Sequence, residues 1–258
     1  MSTSWCSTPV AGRVHCASAG AQGVLWTALL ALFFASTLGC GGETTPRAVP
    51  TRQLAPPLEP VRVLYAAASP ALLPYWAALE EGLFARNGLQ VELQEGRDPQ
   101  TAYGRLLRGE IEVYLTPLTP AFVAQAAEGA DLILLGGTPE LAIVATRRFL
   151  NVREFILERF LRGVLEGIHA LNVRPELARE LLTRRGGLAA APGAALPAGE
   201  GERLPRVPYL AREMLEPLIA ARAAEDPRAA ALDPDQLLEQ TLLRRLEASG
   251  FVAALYRA

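Results

Sequence analysis

Between Val61 and Leu135 the chain alternates short β-rich runs with segments of helical period, and the joints are brief. Val61 to Ala66 (VRVLYA) reads as a strand. Ser69-Pro70 then opens a helix, with Leu72, Leu73, Trp76, Leu79, Leu83 and Phe84 at helical spacing and Asn87-Gly88 as its stop. Leu89 to Leu93 (LQVEL) alternates as a second strand. Asp98-Pro99 is an N-cap followed by an N1 proline, and Gly109 closes that helix. Ile111 to Leu115 is a third strand, Ala121 to Glu128 a short helix, and Leu132 to Leu135 a buried fourth strand before Gly136-Gly137. Such an alternation predicts a parallel α/β sheet with helices on both faces. Leu141 to Thr146 (LAIVAT) reads as a further strand. Beyond it the pattern is helical: a stripe through Phe149, Val152, Ile156, Phe160, Val164 and Ile168, a helix from Pro175, and amphipathic stretches over 209–224 and 234–248. Residues 186–208 form a Gly/Pro/Ala-rich loop.

Composition narrows the chemistry. The formal net charge is −2, so no global basic field favours nucleic acid. All 25 basic residues are arginine, which excludes lysine Schiff bases and a P-loop. The three cysteines, Cys6, Cys16 and Cys40, all lie near the N-terminus, and the histidines are His15 and His169. No spacing suits a metal site or a Cys/His nucleophile pair. His169 has no acidic or nucleophilic partner at a useful spacing, and Glu80 and Glu81 diverge by about 100° on a helix. These exclusions point to a non-catalytic binding protein without cofactor or metal.

The N-terminus reads as a targeting segment. Val24 to Ala35 (VLWTALLALFFA) has the length of a signal-peptide core and is short for a span of roughly 20 residues. Small residues then lead to Cys40, as in a bacterial lipobox, although Thr37 stands where leucine is usual. The expected organisation is a signal peptide over 1–39, then an acylated Cys40 and flexible tether over 40–60. A first α/β lobe follows over 61–146 and a returning helical segment over 147–258. An ordinary secretory signal or a short membrane anchor is the other reading of the N-terminus.

Longer stretches resemble a known group. VRVLYAAASPALLPYWAALEEGLFARNGLQVEL is similar to the opening of bacterial ABC-transporter solute-binding proteins of the nitrate/sulfonate/taurine type, the SsuA/THI5-like or NMT1-like family. The residues carrying this are Gly82-Leu83-Phe84, Gly88-Leu89 and Val91. LLRGEIEVYLTPLTPAFVAQAAEGADLILLGG resembles the next segment, with Glu112 where aspartate is frequent. ALDPDQLLEQTLLRRLEASGFVAALY resembles the family's ending. The resemblance implies a periplasmic-binding-protein-like α/β lobe. It implies an exported protein that binds a small organic solute, anionic, sulfonate- or pyrimidine-like, for an ABC permease in the membrane. In that family a second lobe follows the strand matching Leu132 to Leu135. Here Gly137-Thr138-Pro139 passes almost at once into what looks like the returning segment, so the second lobe is expected to be missing or vestigial.

Solute would meet the first lobe at the loops after its strands. The candidates are the hydroxyls of Ser69, Thr116 and Thr119, with Tyr75 and Trp76 packing on the solute. Ser69 and Thr119 double as plain N-caps, and Trp76 lies on the apolar stripe of its helix. Helix N-termini near Ser69 and Thr119 would favour an anionic head. Two other functions remain. A one-lobe lipoprotein would be an interaction module or a remnant, self-associating through an exposed lobe face. An enzyme related to the pyrimidine synthases of the superfamily would need a cysteine/histidine-rich site that this chain lacks.

Overall fold

A computed structural model describes residues 57–185 and 203–257. The expected leader over 1–39, Cys40, most of the tether and residues 186–202 lie outside them. Five strands form one sheet: β1 (Glu59–Tyr65), β2 (Leu89–Glu95), β3 (Val113–Thr116), β4 (Leu132–Thr138) and β5 (Leu141–Thr146). The order across the sheet is β2-β1-β3-β5-β4. β1 pairs parallel with β2 and with β3, as the alternation predicts. β5 departs from that expectation, running antiparallel between β3 and β4. The reason is the connection. Only Pro139 and Glu140 join β4 to β5, and a parallel crossover needs a dozen or more residues.

Gly136 and Gly137 make that hairpin possible. Their φ angles are +152° and +123°. A Cβ on Gly137 would lie closer than 3.0 Å to the Leu141 carbonyl oxygen, and one on Gly136 would crowd Leu243 and the Pro208 carbonyl. β4 is an edge strand, and its outer side is covered. Gly137 N–H donates to Pro208 O at 2.8 Å, Glu239 N–H donates to Leu134 O at 2.9 Å, and Leu238 bridges to Leu134.

Each sheet face carries its own core. Val61, Val63, Val113, Leu115, Ile133 and Ile143 point to one face, and Leu64, Tyr114, Leu134 and Val144 to the other. The first face is covered by α1 (Leu73–Glu80), α2 (Leu83–Arg86), the long α5 (Arg147–Val173) and α6 (Pro175–Arg184). The second is covered by α3 (Pro99–Leu107), α4 (Pro120–Ala127) and α7 (Glu216–Ala223). After α8 (Pro234–Leu237), α9 (Thr241–Ala248) and α10 (Phe251–Leu255) complete the chain.

Several punctuation residues act as read. Asp98 caps α3, accepting from Thr101 N–H at 2.9 Å, and Gly88 and Gly109 adopt φ of +78° and +71°. Other helices are shorter than their periodicity suggests. The helix from Pro70 starts as a 3-10 turn and breaks at Gly82, at φ +66°. The stretch over 209–224 is helical only as a 3-10 turn at Arg212–Met214 and then α7. The stretch over 234–248 is interrupted where Leu238 turns extended to meet β4. Val152 does not join the core as its stripe suggests. Arg153 leaves helical geometry (φ −132°, ψ 38°), which shifts the face of α5 and leaves Val152 70% exposed.

Candidate functional site

The parallel strands and β4 end on one rim of the sheet, and four connections gather there. These are 66–72 after β1, 96–98 after β2, 117–119 after β3, and the Pro139-Glu140 turn after β4. Leu118 N–H donates to Pro139 O at 2.9 Å, which ties two of them together.

A small groove opens at this rim. Ala71, Pro74 and Tyr75 form one wall, Gly137, Thr138, Glu140 and Leu141 a second, and Val164 and Ile168 of α5 the floor. A strap containing Leu204, Pro205 and Pro208 closes the far side. The enclosed volume is about 50 Å³, room for a few waters or one small substituent. Thr138 spends its hydroxyl locally, accepting from Leu141 N–H at 3.2 Å. Among the described lining residues Glu140, exposed on the turn, is the one ionisable group besides the Tyr75 phenol.

The strap is held from two sides. Asn172 on α5 accepts from Leu204 N–H at 2.9 Å and donates to Leu204 O at 3.0 Å and to the Tyr256 hydroxyl at 2.9 Å. The Arg206 guanidinium lies over the Tyr256 ring at 4.3 Å, and Gly137 holds Pro208. Asn172→Ala should therefore loosen the strap, since each such hydrogen bond contributes about 0.5–1.5 kcal/mol. The expected result is much faster hydrogen exchange at the Leu204 amide with little change at β1 and β3; unchanged exchange at Leu204 would show that Asn172 does not hold the strap.

The five sequence candidates do not converge. Tyr75 reaches the groove, but it is 3% exposed rather than open. It packs 6.3 Å from Phe160, and burial pushes its phenol well above the usual tyrosine range. The reason is that α5 lies over α1 and covers the side of the helix left off the apolar stripe. Trp76 is 2% exposed and sits in the first core, with the Arg185 guanidinium 5.8 Å from its ring. Thr116 is 4% exposed and faces the second core. Ser69 and Thr119 are half-buried on separate loops, and neither side chain makes a capping hydrogen bond. Pro70 and Pro120 occupy the first turn of the following helices, which removes one backbone donor from each.

The groove wall that sequence reading missed comes from Pro74, the 137–141 turn and the 204–208 strap. The sole signal for it in the sequence is Gly136-Gly137, a demand for unusual backbone before a short connection. Among the described residues no group of three or more His, Cys, Asp or Glu side chains converges to hold a metal. No described helix is long and apolar enough to cross a membrane.

No family model matches the chain, and no curated protein matches it in sequence. Solved structures do. One is a Bordetella bronchiseptica RB50 protein, with a TM-score of 0.58 and 12% identity, over 74% of this chain and 97% of that one. Another is the zinc-bound ligand-binding component of an ABC-type import system from Staphylococcus aureus, at 0.54 and 7%, over 72% and 98%. A third is the periplasmic aliphatic sulphonate-binding protein SsuA from Escherichia coli, at 0.52 and 11%, over 72% and 99%. At these identities the likeness is one of fold. The chain has the periplasmic-binding-protein fold, with a mixed α/β sheet flanked by helices.

Proposed function

We propose that this protein is an exported solute-binding component of an ABC importer, tethered to the membrane through an acylated Cys40, and that it performs no chemistry of its own. The observation that carries this reading is the sheet order β2-β1-β3-β5-β4 with a groove at the rim where its connections gather. The leader-like run over 24–35 followed by Cys40 supports export and anchoring. The solute is a small organic molecule of the sulfonate or pyrimidine kind handled by the family it resembles. The lining qualifies that choice. Among the described lining residues Glu140 is the one carboxylate and none is arginine, so a neutral or pyrimidine-like solute that inserts one small substituent suits this groove better than a sulfonate. Tyr75 would meet such a solute at the groove wall, whereas Ser69 and Thr119, which do not line the groove, would reach only a part of it extending over the rim.

A thermal-shift screen of the purified chain against sulfonates, nitrate, amines and pyrimidines tests the reading. A solute at 100 times its Kd stabilises the folded form by about 2.7 kcal/mol. At about 2–4 °C per kcal/mol this is a shift of several degrees. The expected result is such a shift with a pyrimidine, and a larger response to sulfonate once Glu140 is replaced by glutamine. No shift with any member of the panel would remove the binding reading.

A second reading rests on the β4–β5 connection. Two residues join these strands, and the described residues form one sheet with one small groove at its rim. A chain lacking a second lobe would present half a site, and would act as a one-lobe interaction module or persist as a remnant. Self-association through the rim belongs to this reading, although the exposed large apolar side chains among the described residues, Leu58, Leu107, Val152, Phe155 and Val173, do not line the groove. Sedimentation of the detergent-purified chain separates the two: a strict monomer that responds to solute argues against the second reading.

A further inference from the structure

A second hollow adjoins the groove and shares Leu204 with it. Asn172 and Val173 at the end of α5, Arg203, Leu204 and Arg206 of the strap, and Tyr256 beyond α10 line it. Its volume is about 370 Å³, within the range of small-molecule sites.

Its charge is the opposite of the groove's. Arg203 and Arg206 are its charged lining residues, and no described lining residue is acidic. Among the described residues neither guanidinium pairs with a carboxylate, whereas Arg174 and Arg212 pair with Glu81 and Asp235. Two cations that face one hollow repel each other and attract an anion between them.

The surrounding framework is set by contacts within the protein. Asn172 engages both Leu204 N–H and Leu204 O, which pins the backbone between the two arginines. The Arg206 guanidinium rests 4.3 Å from the centre of the Tyr256 ring, and His169 meets that ring edge-on with centroids 4.6 Å apart. The Tyr256 hydroxyl accepts from Asn172 and keeps its own proton to donate.

We propose that this hollow binds a soluble phosphate-type dianion, and that the bound anion holds the strap against α5. Two guanidinium forks and a phenol O–H match the double charge and several acceptor oxygens of a phosphate; a carboxylate offers one charge and two oxygens. The dianion bridges Arg203 and Arg206, which flank Leu204, so the strap opens only by giving it up. Because Leu204 also lines the groove, filling one hollow stiffens a wall of the other. The anion site does not depend on the solute reading.

Isothermal titration of the full chain with sodium phosphate, at an ionic strength fixed with sodium chloride, tests the site. The expected result is saturable binding that weakens about tenfold with Arg203→Gln or with Arg206→Gln, each the loss of one charge-assisted contact. Both arginines are exposed, so the variants should keep the fold, which far-ultraviolet circular dichroism checks. Arg86→Gln removes the same charge from an exposed position on α2 and should leave binding unchanged. Phosphate at ten times its Kd should slow hydrogen exchange at the Leu204 amide about tenfold. No saturable binding, or equal weakening by all three variants, would overturn the site. Unaltered exchange at Leu204 with phosphate bound would overturn the hold on the strap. Binding to phosphatidic acid vesicles that needs both arginines, with no response to inorganic phosphate, would overturn the soluble ligand in favour of a lipid headgroup.

Discussion

Replacing Gln240 with leucine should be the most damaging single change to a polar side chain in this protein. Gln240 is 7% exposed, and its amide closes a ring with one backbone position: it accepts from Leu210 N–H at 2.7 Å and donates to Leu210 O at 2.9 Å. Leu210 is itself 3% exposed, so water cannot replace the lost partners without the segment opening. Each orphaned backbone group costs about 1–3 kcal/mol, and two are orphaned together. Against a domain stability of about 5–15 kcal/mol, that is a large fraction. Urea denaturation of the variant should show a clearly lower midpoint. Gln240→Glu gives a sharper check. It keeps an acceptor for the Leu210 amide but turns a carboxylate toward the Leu210 carbonyl, so burial and the carbonyl should raise its pKa. A raised pKa means the protonated form is favoured in the folded state. The deficit should therefore shrink as pH falls through the raised value and be full at neutral pH. A Gln240→Leu midpoint equal to that of the unaltered protein would mean that the strap and C-terminal helices are not locked through this residue.

Gly167→Ala should be the most damaging change to a small residue. Gly167 lies where α5 crosses α1, and an added Cβ would fall closer than 3.0 Å to the Pro74 carbonyl oxygen, a backbone atom that cannot swing aside. Gly163, one turn earlier, faces the ring of Phe84, which stacks on Phe160 with centroids 5.2 Å apart. The two glycines thus let α5 approach α1 and α2 closely. Overpacking of this kind costs about 1–3 kcal/mol. Alanine returns roughly 1 kcal/mol of helix propensity, so the predicted loss is what remains after that gain. Gly104→Ala is the matched control. It lies inside α3, and its nearest neighbour is the flexible tip of the Arg108 side chain at 3.1 Å. There the propensity term should win and the variant should be slightly more stable. Equal effects at Gly104 and Gly167 would show that the α1–α5 approach is not limiting.

Much of the fold was legible because its signals are local. Asp98 before Pro99 sets a cap whatever the rest of the chain does, and Gly88 and Gly109 end their segments because only they take positive φ without strain. The alternation over 61–135 placed β1 to β3 within two residues and the start of β4 at Leu132, but β4 runs on to Thr138, three residues past the expected end. The site was less legible. Tyr75 looked open because it lies off the apolar stripe of its own helix, yet a second helix, far along the chain, covers it. Thr116 looked like a ligand hydroxyl because it follows a strand, yet the pleat turns it into the second core. The strap over 204–208 has no periodicity at all; its place is set by Asn172, Gly137 and Tyr256, none of them near it in sequence.

The amino-acid sequence by itself determined that this is an α/β chain with capped, glycine-punctuated elements, no lysine, and cysteines only at positions 6, 16 and 40. Those properties follow from nearest-neighbour conformational preference and from which side chains exist at all. Only the tertiary structure decided that β5 inserts antiparallel between β3 and β4, that the groove is small and carries a carboxylate, and that Tyr75 and Thr116 are buried. Each of these depends on which distant segments become neighbours, and pairing free energies between such segments leave no periodic trace in the segments themselves.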